Sequence, residues 1–159
     1  ITPKIGKNCF IAENAVIIGD VTIGDDCSIW YGVVLRGDVN TIKIGNRVNI
    51  QDNASVHTLY QRSVTIIGDD VSVGHNAVVH GAKVGNDVLV GMGAVLMDNA
   101  EIADGSIIAA GAVVLSDQKL EPGVYAGVPA KKVKDGSEKI TAAAHKNAQG
   151  YLMYKDWYK

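Results

Sequence analysis

Phenylalanine occurs once in these 159 residues, tryptophan twice and proline three times, while glycine occurs 18 times. A core filled by large rings is excluded by that balance, which leaves a repetitive backbone packed with small aliphatics. Cys9 and Cys27 are the only cysteines, too few for a disulfide framework and suited to a reducing, cytoplasmic compartment. Neither sign of charge dominates: 15 Lys and Arg stand against 17 Asp and Glu, a net of −2. A surface built for nucleic acid is therefore not expected. No apolar run approaches the roughly 18 residues of a membrane-spanning helix, and no basic-then-apolar leader stands at the start of these residues. A single soluble domain without membrane attachment is the expectation.

What is present is a step of six. Ile5, Ile11, Ile17, Ile23, Ile29 and Leu35 form one frame, and Ile44, Ile50 and Val56 a second. Ile67, Val73 and Val79 form a third, followed by Val84, Val90, Leu96, Ile102, Ile108 and Val114. Four positions after most anchors stands a small or branched residue such as Cys9, Ala15, Cys27, Val33, Val88 or Ala94. This is the hexapeptide pattern of an all-β fold, the parallel β-helix. Each hexad supplies a short strand and a turn, and three hexads make a triangular coil stacked about 4.8 Å from the next. An amphipathic helix would repeat every 3.6 residues and would not tolerate glycines this dense. The anchors predict about six coils over residues 1–120. Handedness does not follow from the period. A Pro/Gly-rich connector spans 121–136, and 137–159 is expected to form a C-terminal α-helix packed on the coil. Asp135 and Ser137 are its candidate N-caps; Ile140, Ala144, Ala148, Tyr151, Tyr154 and Tyr158 form its stripe, with a kink expected at Gly150.

The frame breaks between Val56 and Ile67, where eleven residues replace six and a loop around Thr58 to Ser63 is extruded. Without that loop, His57 and His80 lie one coil apart, each directly after an aliphatic anchor. They should stack at one corner, close enough to share a ligand. His75 lies five residues before His80, about 16 Å away along an extended strand, too far to join a metal whose bonds to nitrogen are about 2.0–2.1 Å. A neighbouring copy could supply it if three coils packed around a threefold axis. Three imidazoles would then leave a fourth tetrahedral position open, as catalytic zinc sites do. The alternative for each histidine is an inert, hydrogen-bonded corner residue. His145, on the terminal helix, is expected to be solvated; Lys131, Lys132 and Lys134 form a solvated basic patch. Cys9 and Cys27, one coil apart, should be stacked core thiols.

The ordered set RGD (Arg36 to Asp38), NIQDN (Asn49 to Asn53), His57 and GHNAVVHG (Gly74 to Gly81) resembles the gamma-class carbonic anhydrases and their bacterial relatives. The similarity spans nearly the whole chain. It implies a left-handed coil assembled as a homotrimer, with zinc, or iron in some members, held by His57, His80 and His75 of the partner subunit. It further implies a lyase in which a metal-bound hydroxide converts carbon dioxide to bicarbonate. Gln51 would orient the nucleophile with help from Asn49, Tyr151 would reach the site from the terminal helix, and Arg36, Asp38 and Asp52 would lie at the subunit interface. The family's archaeal prototype has a glutamate where Val39 stands, an asparagine where Met153 stands, and a long acidic loop where this chain has Thr58 to Ser63. Those groups serve proton transfer, so slower hydration is expected here. Two readings of other classes remain: an acyl-CoA thioesterase or acyltransferase, since Gly127 to Lys134 resembles a connector of hexapeptide acyltransferases, and a noncatalytic assembly subunit.

Overall fold

In the computed structural model, which describes residues 1–159, the chain winds as a parallel β-solenoid of about seven turns with one C-terminal helix. Most strands are two or three residues long, so on each rung one side chain points inward and its neighbours outward. The six-residue anchors are the inward ones. Ile29, Leu35, Ile50, Leu96 and Ile108 are fully buried, and the small residues Cys27, Ala54, Ala77, Ala94 and Ala112 fill the space between them at the bends. Two sheets result. An 8-stranded sheet forms one face; an 11-stranded sheet covers the other two, because Val16–Ile23 and Val34–Ile44 bend around a corner without a break.

The corners explain the glycines and the acidic or amide residues that follow the anchors. At one of them the side chains of Asp25, Asn46, Asp69, Asn86 and Asp104 form a ladder, each accepting the backbone N–H of Lys7, Asp25, Asn46, Asp69 or Asn86 one turn below, at 2.7–2.8 Å. A Cβ on Gly24 would overlap the Asn46 carboxamide, so the glycine before each rung of this ladder leaves room for it. Eight of the ten non-glycine residues with positive φ are Asn or Asp, the types that tolerate the left-handed turn conformation.

The solenoid is one turn longer than the anchor count predicts. Leu120 stands six residues after Val114 and pairs through Lys119–Leu120 with Glu101–Ile102; Val124 and Tyr125 then stack on Ile107 and Ile108. A buried tyrosine takes the place of the aliphatic anchor there, its hydroxyl donating to the Glu121 carbonyl at 2.6 Å, so a search for Ile, Leu and Val passes over it. Residues 121–136, expected as a connector, hold the paired strands Gly123–Ala126 and Lys131–Asp135, the second antiparallel and exposed along its length.

The helix runs from Glu138 to Asp156. Ser137 caps it, its hydroxyl oxygen accepting the Ile140 N–H at 3.2 Å, and it continues unbroken through Gly150 where a kink was expected. Ile140, Ala144 and Ala148 bury its apolar stripe against Ser28–Ile29, Ser72–Val73 and Leu89–Val90. No helix is long and apolar enough to cross a membrane. Both cysteines are free; burial pushes the Cys27 thiol up to about 12, and the two sulfurs donate to the carbonyls of Gly24 and Gly45 on the next turn up.

Candidate metal centre

Strands Ser55–His57 and Val78–His80 pair in parallel with Val56 opposite Val79 and His57 opposite His80. The valines face the core, so the next residue of each strand projects outward at the corner, and the two imidazoles stack as the coil arithmetic predicts. Their ring centroids are 5.1 Å apart, and Nδ1 of His57 lies 3.1 Å from Nε2 of His80. Each outer nitrogen meets a carboxylate: His57 Nε2 is 3.0 Å from Asp38 Oδ1, and His80 Nδ1 is 2.9 Å from Asp98 Oδ1.

Counting protons along this row shows what it can hold. Both ends are acceptors when ionised, and two neutral imidazoles carry one N–H each. If each ring donates outward to its carboxylate, two lone pairs converge at 3.1 Å, an arrangement that a shared metal ion, or a proton between the rings, relieves. Two nitrogen ligands bound at 2.0–2.1 Å around a tetrahedral ion lie about 3.3 Å apart. The donor set therefore fits a divalent metal, with a carboxylate behind each imidazole fixing its tautomer. The carboxylates stay ionised. Hydrogen bonds from Arg36, at 2.7 Å, and from His57 hold Asp38 below its ordinary value. Burial pushes Asp98 up, but hydrogen bonds from Ser63 and His80 outweigh it and leave the carboxyl low.

The remaining sequence-predicted residues gather at a different corner of the triangle. His75 sits on the turn after Ser72–Val73, partly exposed, its Nδ1 4.0 Å from Asp52 Oδ1. Gln51 and Asn49 are buried and linked: Gln51 Nε2 donates to Asn49 Oδ1 at 2.9 Å, and Asn49 Nδ2 donates to Ser72 Oγ at 2.8 Å. Gln51, His75, Leu89, Met92 and Tyr151 line one cavity of about 310 Å³ between the solenoid and the helix. Burial and then the Asp52 charge raise the Tyr151 phenol, which keeps its proton at neutral pH. The predicted residues thus fall into two separate groups on this chain. His57, His80, Arg36 and Asp38 form the first; His75, Gln51, Asn49, Asp52 and Tyr151 form the second.

Two neighbours of the imidazoles escape the sequence reading. Asp98 stands 18 residues after His80, one coil away, so the spacing that relates the histidines could have found it. Ser63, which donates to Asp98 at 2.6 Å, arrives through the extruded loop and leaves no periodic signal. His145 is solvated as expected, its side chain 47% exposed, and in addition lies 2.7 Å from Asp87 beside Asp70. Arg47 grips both Asp70 oxygens at 2.9 and 3.0 Å and Gln149 adds a third bond, so this group ties the helix to the solenoid.

The family description "Bacterial transferase hexapeptide (six repeats)" matches residues 2–37 and 81–116, and "Hexapeptide repeat of succinyl-transferase" matches 64–97. The chain is 43% identical to gamma carbonic anhydrase 2, mitochondrial, of Arabidopsis thaliana over 95% of its own length, and spans 56% of that relative. It is 46% identical to a probable carbonic anhydrase of Methanocaldococcus jannaschii over 96% of both chains. A crystal structure of a hexapeptide transferase family protein from Anaplasma phagocytophilum superposes with a TM-score of 0.93 at 41% identity, covering 99% of this chain and 93% of that one.

Proposed function

This chain belongs to the gamma carbonic anhydrase family of hexapeptide-repeat proteins, and from that membership we propose that it catalyses the metal-dependent, reversible hydration of carbon dioxide to bicarbonate. The observation that carries the reading is the pair of imidazole nitrogens 3.1 Å apart, each ring backed by a carboxylate. In this reading three copies assemble so that the His75 corner of one meets the His57 and His80 corner of the next, and the two half-sites become one. Arg36, Asp38 and Asp52 then line the contact between subunits. Zinc is the proposed ion; its Lewis acidity brings the ionisation of water into the neutral range.

The protein's own groups do the rest. The Gln51 amide nitrogen is committed to Asn49, so Oε1 is its free acceptor, suited to take a hydrogen bond from the attacking water and aim its lone pair. The Tyr151 hydroxyl, protonated at neutral pH, is a donor from the opposite wall. Leu89, Val90 and Met92 give carbon dioxide an apolar approach that needs no charged clamp. Val39 and Met153 offer no titratable side chain, so proton export depends on buffer, and turnover should rise with buffer concentration.

Stopped-flow hydration of carbon dioxide by protein purified without oxygen and loaded with metal tests the proposal. Full metal occupancy without activity would refute it. The likeness to the Anaplasma transferase-family structure favours acyl-group chemistry as a second reading. Release of free coenzyme A from a panel of thioesters, with and without chelator, separates the two. A noncatalytic subunit would show every measured activity unchanged in His57→Ala; a lost activity with the assembly intact would refute that reading.

A further inference from the structure

We infer that Asp98, backed by Ser63, is a positioning residue that dictates which His80 nitrogen is free for a cation and how the ring is aimed; this rests on reading His57 and His80 as metal ligands. Ser63 is buried and its hydroxyl has two partners: its oxygen accepts the Leu59 N–H at 3.0 Å, and its proton goes to Asp98 Oδ1 at 2.6 Å. The same Oδ1 stands 2.9 Å from His80 Nδ1. A carboxylate can only accept, so in the neutral ring Nδ1 carries the proton and Nε2 presents its lone pair toward His57. The row Leu59 to Ser63 to Asp98 to His80 thus sets the tautomer by elimination.

The surrounding backbone is built to keep this row clear. Gly81, the residue after His80, has φ +63, and a Cβ there would overlap both Ser63 Oγ and Asp98 Oδ1. The bridge between Leu59 and Ser63 pinches the extruded loop shut and directs its last residue back under the imidazole. The residues that interrupt the six-step repeat therefore have a task, which is to deliver Ser63 to Asp98. Asp38 acts on His57 in the mirror sense but is held by the exposed Arg36, so the His80 side is the more rigid of the two.

Zinc affinity of the whole protein, measured by competition with a chromophoric chelator at a temperature where every apo variant is folded by circular dichroism, tests the inference. Asp98→Ala should weaken zinc binding by about 10- to 100-fold, the usual effect of losing the carboxylate behind a ligand histidine. Asp98→Asn, which keeps an acceptor, should recover part of that loss, and Ser63→Ala should weaken binding by less than tenfold. His57→Ala and His80→Ala serve as references. If both references weaken binding while Asp98→Ala and Ser63→Ala match the parent, the inference is overturned and the metal site stands. If the references themselves leave affinity unchanged, the reading of the histidines as ligands fails first. Should Asp98→Ala not fold, Asp98→Asn and Ser63→Ala decide the question by the same comparison.

Discussion

Replacing Asn49 with alanine should damage the protein twice, in amounts that follow from its contacts. Asn49 is 1% exposed, and its side chain accepts from Gln51 and donates to Ser72, both of them buried. Two hydrogen bonds are lost, worth about 1 kcal/mol each, and the Gln51 carboxamide N–H group is left without an acceptor, which costs a further 1–3 kcal/mol or so. Retained burial of that amide and relaxation around it overlap, so the expected loss of stability is about 2–4 kcal/mol. At a urea slope of roughly 2 kcal/mol per molar this lowers the unfolding midpoint by about 1–2 M. The second effect is on chemistry. With its nitrogen no longer engaged, the Gln51 amide can turn over and present N–H where the proposed hydration needs an acceptor. A loss of about 1.4 kcal/mol in orientation corresponds to a tenfold fall in turnover. Metal content should not change, because Asn49 does not touch the imidazole pair. Ser72→Ala, which removes only the distal bond, should show a smaller shift in both measurements. An Asn49→Ala protein that unfolds at the parent's urea concentration and hydrates carbon dioxide at the parent's rate would refute this account of Gln51.

Asp38 and Asp98 have folded-state values below those of the unfolded chain, so the stability they contribute is complete above a pH of about 4 and is lost as pH falls through the folded values. Asp98→Asn should accordingly shrink the difference between urea midpoints measured at pH 7 and pH 3. With its thiol near 12, Cys27 is about one part in ten thousand thiolate at pH 8, so iodoacetamide should modify it only in urea, as mass spectrometry of the labelled peptide would report; labelling in the folded state would contradict its burial. Leu96→Ala removes a fully buried side chain from the fifth rung of its face and should cost about 2–5 kcal/mol in the same unfolding assay, a loss below 1 kcal/mol showing that the rungs collapse onto the gap.

Which parts of this molecule were legible in the sequence depends on whether a residue repeats or is reached out of step. The anchors from Ile11 to Val114 were readable because every turn offers the core one inward position per face, and aliphatics are what fit it; Ile5, at the open end, is half exposed. The stacking of His57 on His80 was readable for the same reason, once the inserted loop was subtracted. The seventh turn was not, because Tyr125 closes the core with a ring where the repeat has an aliphatic. The continuity of the helix at Gly150 was also missed: glycine weakens a helix but does not break its hydrogen bonds, and the packing of Ile140, Ala144 and Ala148 holds the direction. Phe10, Trp30, Tyr31, Tyr151, Tyr154, Trp157 and Tyr158 gather into one cluster where the helix end meets the first turns, although the composition suggests a protein poor in rings. Local periodicity says nothing about such a meeting of distant segments.

His57 and His80 occupy the third and fourth rungs of a face that has six, with two rungs on either side. A stack of this kind touches only its nearest neighbours, so opening travels inward from the two ends and reaches the middle last. Amide exchange should therefore slow steadily from either terminus toward Val56 and Val79. The imidazole pair sits at the bottom of that gradient, insulated by its depth in the series from fluctuations that would otherwise spoil the alignment of two rings held by different turns of the chain.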